Sequence, residues 1–373
     1  MAQALKLFFS QALVAELAAA ISAVYPSFNK LKFIRYCCAG LDQLELMPRA
    51  QHISQGLRAH LPERYEQAVD ILMCSLGPPL DATENNGMAP FFYLPHVFFV
   101  RDFGLGHFAV SMAAQYELTQ RFTAEFSIRP YFIHHFEPCM ALLKRWAEDP
   151  SEHVRRLVSE GTRPRLPWAP KLAPVITQPR ITAGLLEQLK DDPSLYVRRS
   201  VANHLNDIGK DHADYLIQLM QGWAVDAPKP RTWLIKHALR SVVKKGNLDA
   251  LGVLGFAQAG VFEVGDVHVC PEAPRLGQTV RIGCVIGLAQ GPSVDVLVDL
   301  KMEFPGRQGV RQKIFKVTSG RLAPGGTLPI NKVISLQPMS TRTYYPGRFV
   351  WTLLINGAPW VLLERVIEPK NLS

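Results

Sequence analysis

Leu5, Leu7, Phe8, Leu13, Leu17, Ile21 and Val24 recur at helical spacing at the start of the chain. The same periodicity predicts helices through Leu41–His60, Glu63–Leu76, Gly106–Arg121, Phe136–Asp149, Ile181–Leu189, Ser194–Ile208, Ala213–Trp223 and Thr232–Lys245. Their connections are short and punctuated by Pro, Gly, Asn or Asp, as antiparallel helix pairs require. Met88 to Val100 is uncharged and aromatic, with two prolines. It is too short to span a bilayer and reads as buried core. Near Gly255 the pattern turns to alternation. Strands are predicted at Val267–Val269, Thr279–Ile286, Val294–Met302, Arg311–Val317, Thr327–Ser335, Arg348–Ile355 and Val361–Ile367, and Asn356-Gly357 is a hairpin signal.

One stretch occurs twice. Asp149-Pro150-Ser151-Glu152-His153-Val154-Arg155-Arg156-Leu157-Val158-Ser159-Glu160 returns 43 residues later as Asp192-Pro193-Ser194-Leu195-Tyr196-Val197-Arg198-Arg199-Ser200-Val201-Ala202-Asn203, with seven of twelve positions identical. A period in the forties belongs to HEAT-like helical repeats. Each copy reads as a helix start, with Asp as N-cap and Pro at the first helical position. A weaker third copy starts at Lys229-Pro230-Arg231-Thr232-Trp233. The predicted fold is therefore mainly α: a HEAT-like α-solenoid over 1–253, a linker over 254–261, and a small all-β immunoglobulin-like sandwich over 262–373. The Cys-Trp-Cys hallmark of antibody domains is missing, because Cys284 has no evident partner on the late strands.

The formal net charge is +9 and the pI about 9.3. That balance suits nucleic acid or an anionic surface. From Phe262 onward there are 13 Lys and Arg against 8 Asp and Glu, so the β region is the more basic part per residue. No cleavable leader is evident, since Gln11 and Glu16 interrupt the opening apolar run. Six cysteines without a CxxC read as reduced thiols, which points to the cytoplasm.

Two constellations stand out. Arg156 and Glu160 share one face of the first repeat helix, and Arg199, Asn203 and Asp207 repeat that ladder on the second. A wet intrahelical ion pair of little energetic weight is the plain reading. The loop that follows, Gly161-Thr162-Arg163-Pro164-Arg165-Leu166-Pro167-Trp168, is basic, proline-stiffened and ends in Trp. Such a Trp either holds a cation by its ring face or plugs the gap between repeats. Glu125 lies between Phe122 and Phe126: it is a helix-terminal charge, a capping-box acid, or a carboxylate held in an apolar site for chemistry. Asp102-Phe103-Gly104 imitates a kinase signature without its companions, and His134-His135 lacks zinc spacing, so neither a metal nor a nucleophilic triad is expected.

The runs Phe122-Thr123-Ala124-Glu125-Phe126-Ser127-Ile128-Arg129-Pro130 and Arg155-Arg156-Leu157-Val158-Ser159-Glu160-Gly161-Thr162-Arg163-Pro164-Arg165-Leu166-Pro167-Trp168 resemble the AlkC family of DNA alkylation-repair glycosylases, HEAT-like relatives of the AlkD family. The resemblance covers residues 1–253, and some members carry a C-terminal immunoglobulin-like domain. It implies a monofunctional glycosylase of N3-alkylated purines, chiefly 3-methyladenine, acting on double-stranded DNA as a monomer, without cofactor and without base flipping. On that resemblance Glu125 and Glu160 are assigned to oxocarbenium stabilisation and water positioning. Arg156 holds a phosphate or orients Glu160, Trp168 stacks on the deoxyribose or lesion, and Asp207 is a lesser candidate. Arg163, Arg165, Arg198, Arg199, Asn203, Lys236, Arg240 and Lys244 are expected at the DNA, and Arg307, Arg311, Lys313, Arg342 or Arg348 are expected to bring the β domain onto phosphates. The competing classes are a non-catalytic damage-sensing DNA binder and a protein-docking solenoid.

Overall fold

The structure, a computed structural model, describes residues 5–81, 87–256, 259–339 and 343–369. Arg342 and part of the expected linker, residues 257–258, lie outside the described residues. The helices are α1 (Gln11–Val24), α2 (Lys30–Cys38), α3 (Leu46–His60), α4 (Tyr65–Cys74), α5 (Leu94–Phe103), α6 (Phe108–Thr119), α7 (Ile128–His134), α8 (Phe136–Trp146), α9 (Glu152–Gly161), α10 (Ala173–Thr177), α11 (Ala183–Leu189), α12 (Leu195–Ile208), α13 (Ala213–Ala224), α14 (Lys229–Lys244) and α15 (Leu248–Val253). The strands are β1 (Val261–Cys270), β2 (Thr279–Gln290), β3 (Val294–Gly306), β4 (Gly309–Leu322), β5 (Thr327–Ser335), β6 (Gly347–Ile355) and β7 (Ala358–Ile367).

Local chemistry explains the helices. Ser10 caps α1, which buries Leu13, Val14, Leu17, Ala18 and Ile21 along one stripe. The apolar run expected only as core is itself helical: a 3-10 turn at Ala89–Tyr93 leads into α5, with Pro95 in the first turn where its missing N–H costs nothing. Leu94 to Val100 are all buried, so there is no polar face for a periodicity to reveal. The Asp102-Phe103-Gly104 run is simply the end of α5. A Cβ on Gly104 would lie 2.1 Å from the Tyr65 hydroxyl, so glycine is required for close approach there.

The repeat helices begin differently from the expectation. Ser151 and Ser194, not the aspartates, are the N-caps of α9 and α12. Asp149 and Asp192 instead accept the backbone N–H two residues on, each at 2.8 Å, forming a side-chain turn ahead of the helix. The first arginine of each pair folds back over this turn. Arg155 donates to the carbonyls of Asp149 and Pro150, and Arg198 to those of Asp192 and Pro193. Arg155 also makes a two-point contact with Asp192 at 2.6 and 3.1 Å, and Arg231 of the third copy pairs with Asp191. Adjacent repeats are thus tied through one Asp-Asp step.

The chain forms two compact units: Met1–His212 with Pro228–Ala238, and Ala213–Ala227 with Leu239–Ser373. In the second unit α13 packs on α15, and the Asn356-Gly357 hairpin turn comes so close to Gly246 and Leu251 that a Cβ on Gly357 would lie 3.0 Å from the Gly246 carbonyl. The strands form two antiparallel sheets, ordered β1-β2-β5 and β4-β3-β6-β7, the arrangement of an immunoglobulin-like sandwich. Its core holds Ile282, Ile286, Val298, Leu300, Phe349 and Trp351. All six cysteines are free, and burial pushes the Cys284 thiol up to about 11. Among the described residues no helix is long and apolar enough to cross a membrane.

Two buried histidines set the acid limit of the helical unit. His96 has neither ring nitrogen hydrogen-bonded among the described residues; His204 faces the Ser159 carbonyl and the Thr182 hydroxyl. Burial pushes each down to about 4. The unfolded chain takes up these protons as pH falls through about 6.5, but the folded chain does not until about 4. Stability present above 6.5 is therefore lost on acidification, by on the order of 1 kcal/mol per histidine at pH 5.5. Urea unfolding at pH 7.5 and 5.5 should show this drop, and His96→Leu should remove the share of one histidine from it. An equal drop in that variant would place the acid sensitivity elsewhere.

Candidate active site

Three segments of the first unit converge: the stretch before α7, helix α9 with its following loop, and one face of α12. Helix α9 buries Val154, Leu157 and Val158 and packs most extensively on α12. Its end lies against α7 because residue 161 is glycine; a Cβ there would sit 2.5 Å from Ile128 Cγ2. On α12, Tyr196, Ser200, Asn203 and Asp207 follow at spacings of four, three and four, which places them on one face.

The polar side chains form an alternating ionic chain. Glu125 Oε2 accepts from Arg156 at 2.5 Å and from the Thr123 hydroxyl at 2.9 Å. Arg156 lies 3.4 Å from Glu160 Oε1, and its guanidinium is 5.3 Å from the centre of the Tyr196 ring. Glu160 Oε1 also accepts from Arg163 at 2.7 Å, and Oε2 accepts from Ser200 at 2.5 Å. Arg163 continues to Asp207 at 2.9 Å, and Lys210 closes the far end on Asp207 at 2.7 Å. Burial opposes the Glu160 charge, but Arg156, Arg163 and Ser200 outweigh it and hold the carboxyl below its ordinary value. Burial likewise opposes the charges of Arg156 and Arg163, yet their carboxylate neighbours raise both.

Exposure separates the three carboxylates: the side chains of Glu125, Glu160 and Asp207 are 12, 7 and 1 % accessible. Glu125 is also the one with an oxygen, Oε1, that makes no hydrogen bond among the described residues. Its surroundings are polar, set by Thr123 and Arg156, rather than the apolar pocket its aromatic neighbours in sequence suggested. It is no capping-box acid either: Ser127 is the N-cap of α7, so Glu125 precedes the helix instead of lying in its first turn.

Trp168 stands out from the loop, 62 % exposed, with φ at 62°, a conformation that costs a non-glycine residue roughly 1–2 kcal/mol. Arg129 on α7 holds the loop in place. It donates to the carbonyls of Gly161, Arg163 and Pro170 at 3.2, 2.8 and 2.7 Å. Burial lowers Arg129 to about 10, which leaves it charged at neutral pH. A cleft of about 210 Å³ beside Trp168 is lined by Phe126, Arg129, Pro130, Ile133 and Lys171 among others, and by none of the three carboxylates.

The other expected residues divide by environment. Arg163 does not face outward: it is buried between Glu160 and Asp207, because two carboxylates compete for it more strongly than water does. Arg165 pairs with Asp211, and Arg198 lies over its own turn. Arg199, Lys236 and Lys244 are exposed, Arg240 is half-buried, and Asn203 Oδ1 meets His237 Nε2 at 3.2 Å. Sequence reasoning missed Thr123, Arg129, Tyr196 and Ser200. A signal for Ser200 was present: it takes the repeat position that Leu157 fills in the first copy, a polar residue in a core slot.

Comparison with known proteins covers the whole chain. Residues 263–363 match the family described as the C-terminal Ig-like domain of the uncharacterised protein YhaZ. The uncharacterized protein YhaZ of Bacillus subtilis is 32 % identical over 355 residues, spanning 95 % of this chain and 96 % of that one. The solved Pseudomonas fluorescens alkylpurine DNA glycosylase AlkC, bound to DNA containing an abasic site analog, superimposes with a TM-score of 0.89 at 35 % identity, covering 98 % of this chain and 99 % of that one.

The Arg129 contacts give a direct test. Arg129→Met keeps the length but strands three carbonyls, which should cost about 3 kcal/mol in urea unfolding and speed proteolytic cleavage within residues 161–171. Unchanged stability with unchanged cleavage would show that the loop holds itself.

Proposed function

Because the chain belongs to the AlkC family of DNA alkylation-repair glycosylases, we propose that it is a monofunctional DNA glycosylase that releases N3-alkylated purines, chiefly 3-methyladenine, from double-stranded DNA. One observation carries the assignment of the site: the ionic chain ends in the most accessible of its three carboxylates, which has one oxygen without a hydrogen bond among the described residues. N3-alkylation makes adenine cationic, so the bond from C1′ to the base breaks with its electron pair going to the base, which leaves neutral. The sugar becomes an oxocarbenium ion. A water oxygen then bonds to C1′ and its proton passes to a carboxylate.

Glu125 is assigned to the sugar and the water. Its Oε1 is available to accept a water proton, while Oε2 is occupied by Arg156 and Thr123. Both oxygens of Glu160 are engaged, so its part is to hold Arg156 and Arg163 in register while adding negative potential. Asp207 fixes Arg163 from the far side and does not touch substrate. Trp168 packs against the deoxyribose beside the lesion. Arg199, Lys236, Arg240 and Lys244 grip phosphates without reading sequence. Reading the lesion in place, without flipping, is supported by the cleft beside Trp168, which has none of the three carboxylates among its lining residues. On the β domain, exposed Arg307, Arg311 and Lys313 cluster around the β3–β4 turn and are the proposed phosphate contacts, whereas Arg348 is already paired with Glu364.

Incubating the protein with randomly methylated DNA and identifying the released bases tests the activity. Release of 3-methyladenine should persist in EDTA, because each carboxylate of the site is held by arginine; loss restored by a divalent ion would refute this. Glu125→Gln should slow single-turnover excision about a hundredfold, on the order of 3 kcal/mol, with DNA affinity nearly unchanged. Glu160→Gln should lower both rate and thermal stability, and Asp207→Asn mainly stability. Wild-type rates in both glutamate variants would make the ionic chain structural and favour the non-catalytic DNA binder.

A further inference from the structure

The α12 face that carries the ionic chain does not stop at Asp207. Asn203 lies between Ser200 and Asp207 on that face, three residues after the one and four before the other. Its Oδ1 meets His237 Nε2 of α14 at 3.2 Å. With an amide oxygen as partner, Nε2 carries the proton and donates. One turn earlier on α14, Trp233 stacks on His237 with ring centres 5.2 Å apart and planes 6° from parallel. Polar contacts thus run from Glu160 through Ser200 to α12, and from Asn203 on the same face to an aromatic pair on α14.

Trp233 is 37 % exposed, despite being among the largest apolar side chains in the protein. A tryptophan needed only for packing would be expected to bury more of its ring. Here the ring is fixed by a parallel stack on a histidine that is itself fixed by Asn203. Such a ring is ready to contact a ligand at little further loss of side-chain freedom. Lys236, three residues on and exposed, supplies a positive charge beside it. A rigid aromatic face next to a cation, one helix beyond a carboxylate site, fits the chemistry of a sugar–phosphate unit: the ring covers the deoxyribose and the ammonium meets the phosphate.

We propose that Trp233, His237 and Asn203 form a second DNA subsite, which holds the deoxyribose and phosphate of a nucleotide flanking the lesion while Glu125 and its partners hold the lesion itself. Trp233 makes the contact; His237 and Asn203 are positioning residues that hold its ring. This rests on the glycosylase reading above, and it makes the site at least two nucleotides long, with the strand anchored on both sides of the reacting sugar.

The test uses the full-length protein and a duplex oligonucleotide containing a tetrahydrofuran abasic analogue, with 3-methyladenine excision at saturating enzyme measured alongside. Trp233→Ala should bind the duplex about tenfold more weakly. Its excision rate at saturation should fall by less than its affinity does, and Trp233→Phe should recover most of the affinity. His237→Gln, which keeps a donor for Asn203 but loses the flat stack, should fall between. Wild-type affinity in Trp233→Ala, beside a wild type that binds and excises, would overturn the subsite alone. A Trp233→Ala variant that loses thermal stability and saturating rate as much as affinity would also overturn it, by making the pair a prop for α12. A wild type that neither binds nor excises would take both readings down together.

Discussion

Everything at the site depends on the alternation of charge along Glu125, Arg156, Glu160, Arg163 and Asp207. A buried carboxylate or guanidinium loses several kcal/mol of hydration, and mutual attraction compensates only when the geometry is good. Glu160 meets two guanidiniums and Ser200, and Arg163 meets two carboxylates. Removing any member would take an ionic partner from a buried neighbour, and loss of Arg156 would leave Glu125 with none of those that hold it. The chain is thus a weak source of net stability but a strict source of geometry. It fixes the separation of α9 from α12, the approach of the segment before α7, and the path of the loop at Thr162–Arg165. Glycine at 161 and serine at 200 serve the same constraint, one by admitting Ile128 and the other by giving Glu160 its last donor.

Arg129 extends this logic to the backbone. A loop of eleven residues, 162–172, with three prolines has few ways to satisfy its own carbonyls. One guanidinium from α7 takes three of them and holds Trp168 at a positive φ. The strain at Trp168 persists because these contacts over-determine the loop. In the process a large aromatic side chain is kept out of the core and close to the outer end of the ionic chain through its neighbours Phe126 and Arg129.

Much of this was legible in the sequence, and the rest was not for definable reasons. The repeat at Asp149 and Asp192, the change of period near Gly255 and the seven strands follow from patterns that a single element reveals by itself. Helix α5 escaped because it is buried all round, and α2 and α7 because they are too short to show a period. The N-caps were displaced by two residues because an Asp-Pro-Ser run allows either the aspartate or the serine to cap, and only the turn geometry decides. Glu125, Glu160 and Arg156 were found as parts of motifs, but their pairing spans 31 residues between Glu125 and Arg156 and depends on how two helices meet. Arg163 illustrates the limit most clearly: in sequence it belongs to a basic loop, and in space it belongs to two carboxylates.

An alternating chain also has ends, and they differ. Interior members have opposite charges on both sides, so their fields largely cancel. At one end, Asp207 is closed by Lys210, which is partly in water. At the other, Glu125 has one cation, Arg156, bound through Oε2, and Oε1 makes no hydrogen bond among the described residues. The open end therefore presents a carboxylate oxygen that no cation has bound, among the described residues, on a protein whose net charge is +9. A basic exterior draws in a polyanion, while a carboxylate terminus favours a cation at one point along it. For two unit charges about 4 Å apart near a protein surface the attraction is about 4 kcal/mol before desolvation is subtracted. A nucleoside whose positive charge sits on an alkylated base gains less from that potential than the oxocarbenium sugar onto which the charge moves as the bond breaks. That difference is what a glycosylase needs: a field fixed before the reaction, directed at charge that appears only as the bond breaks.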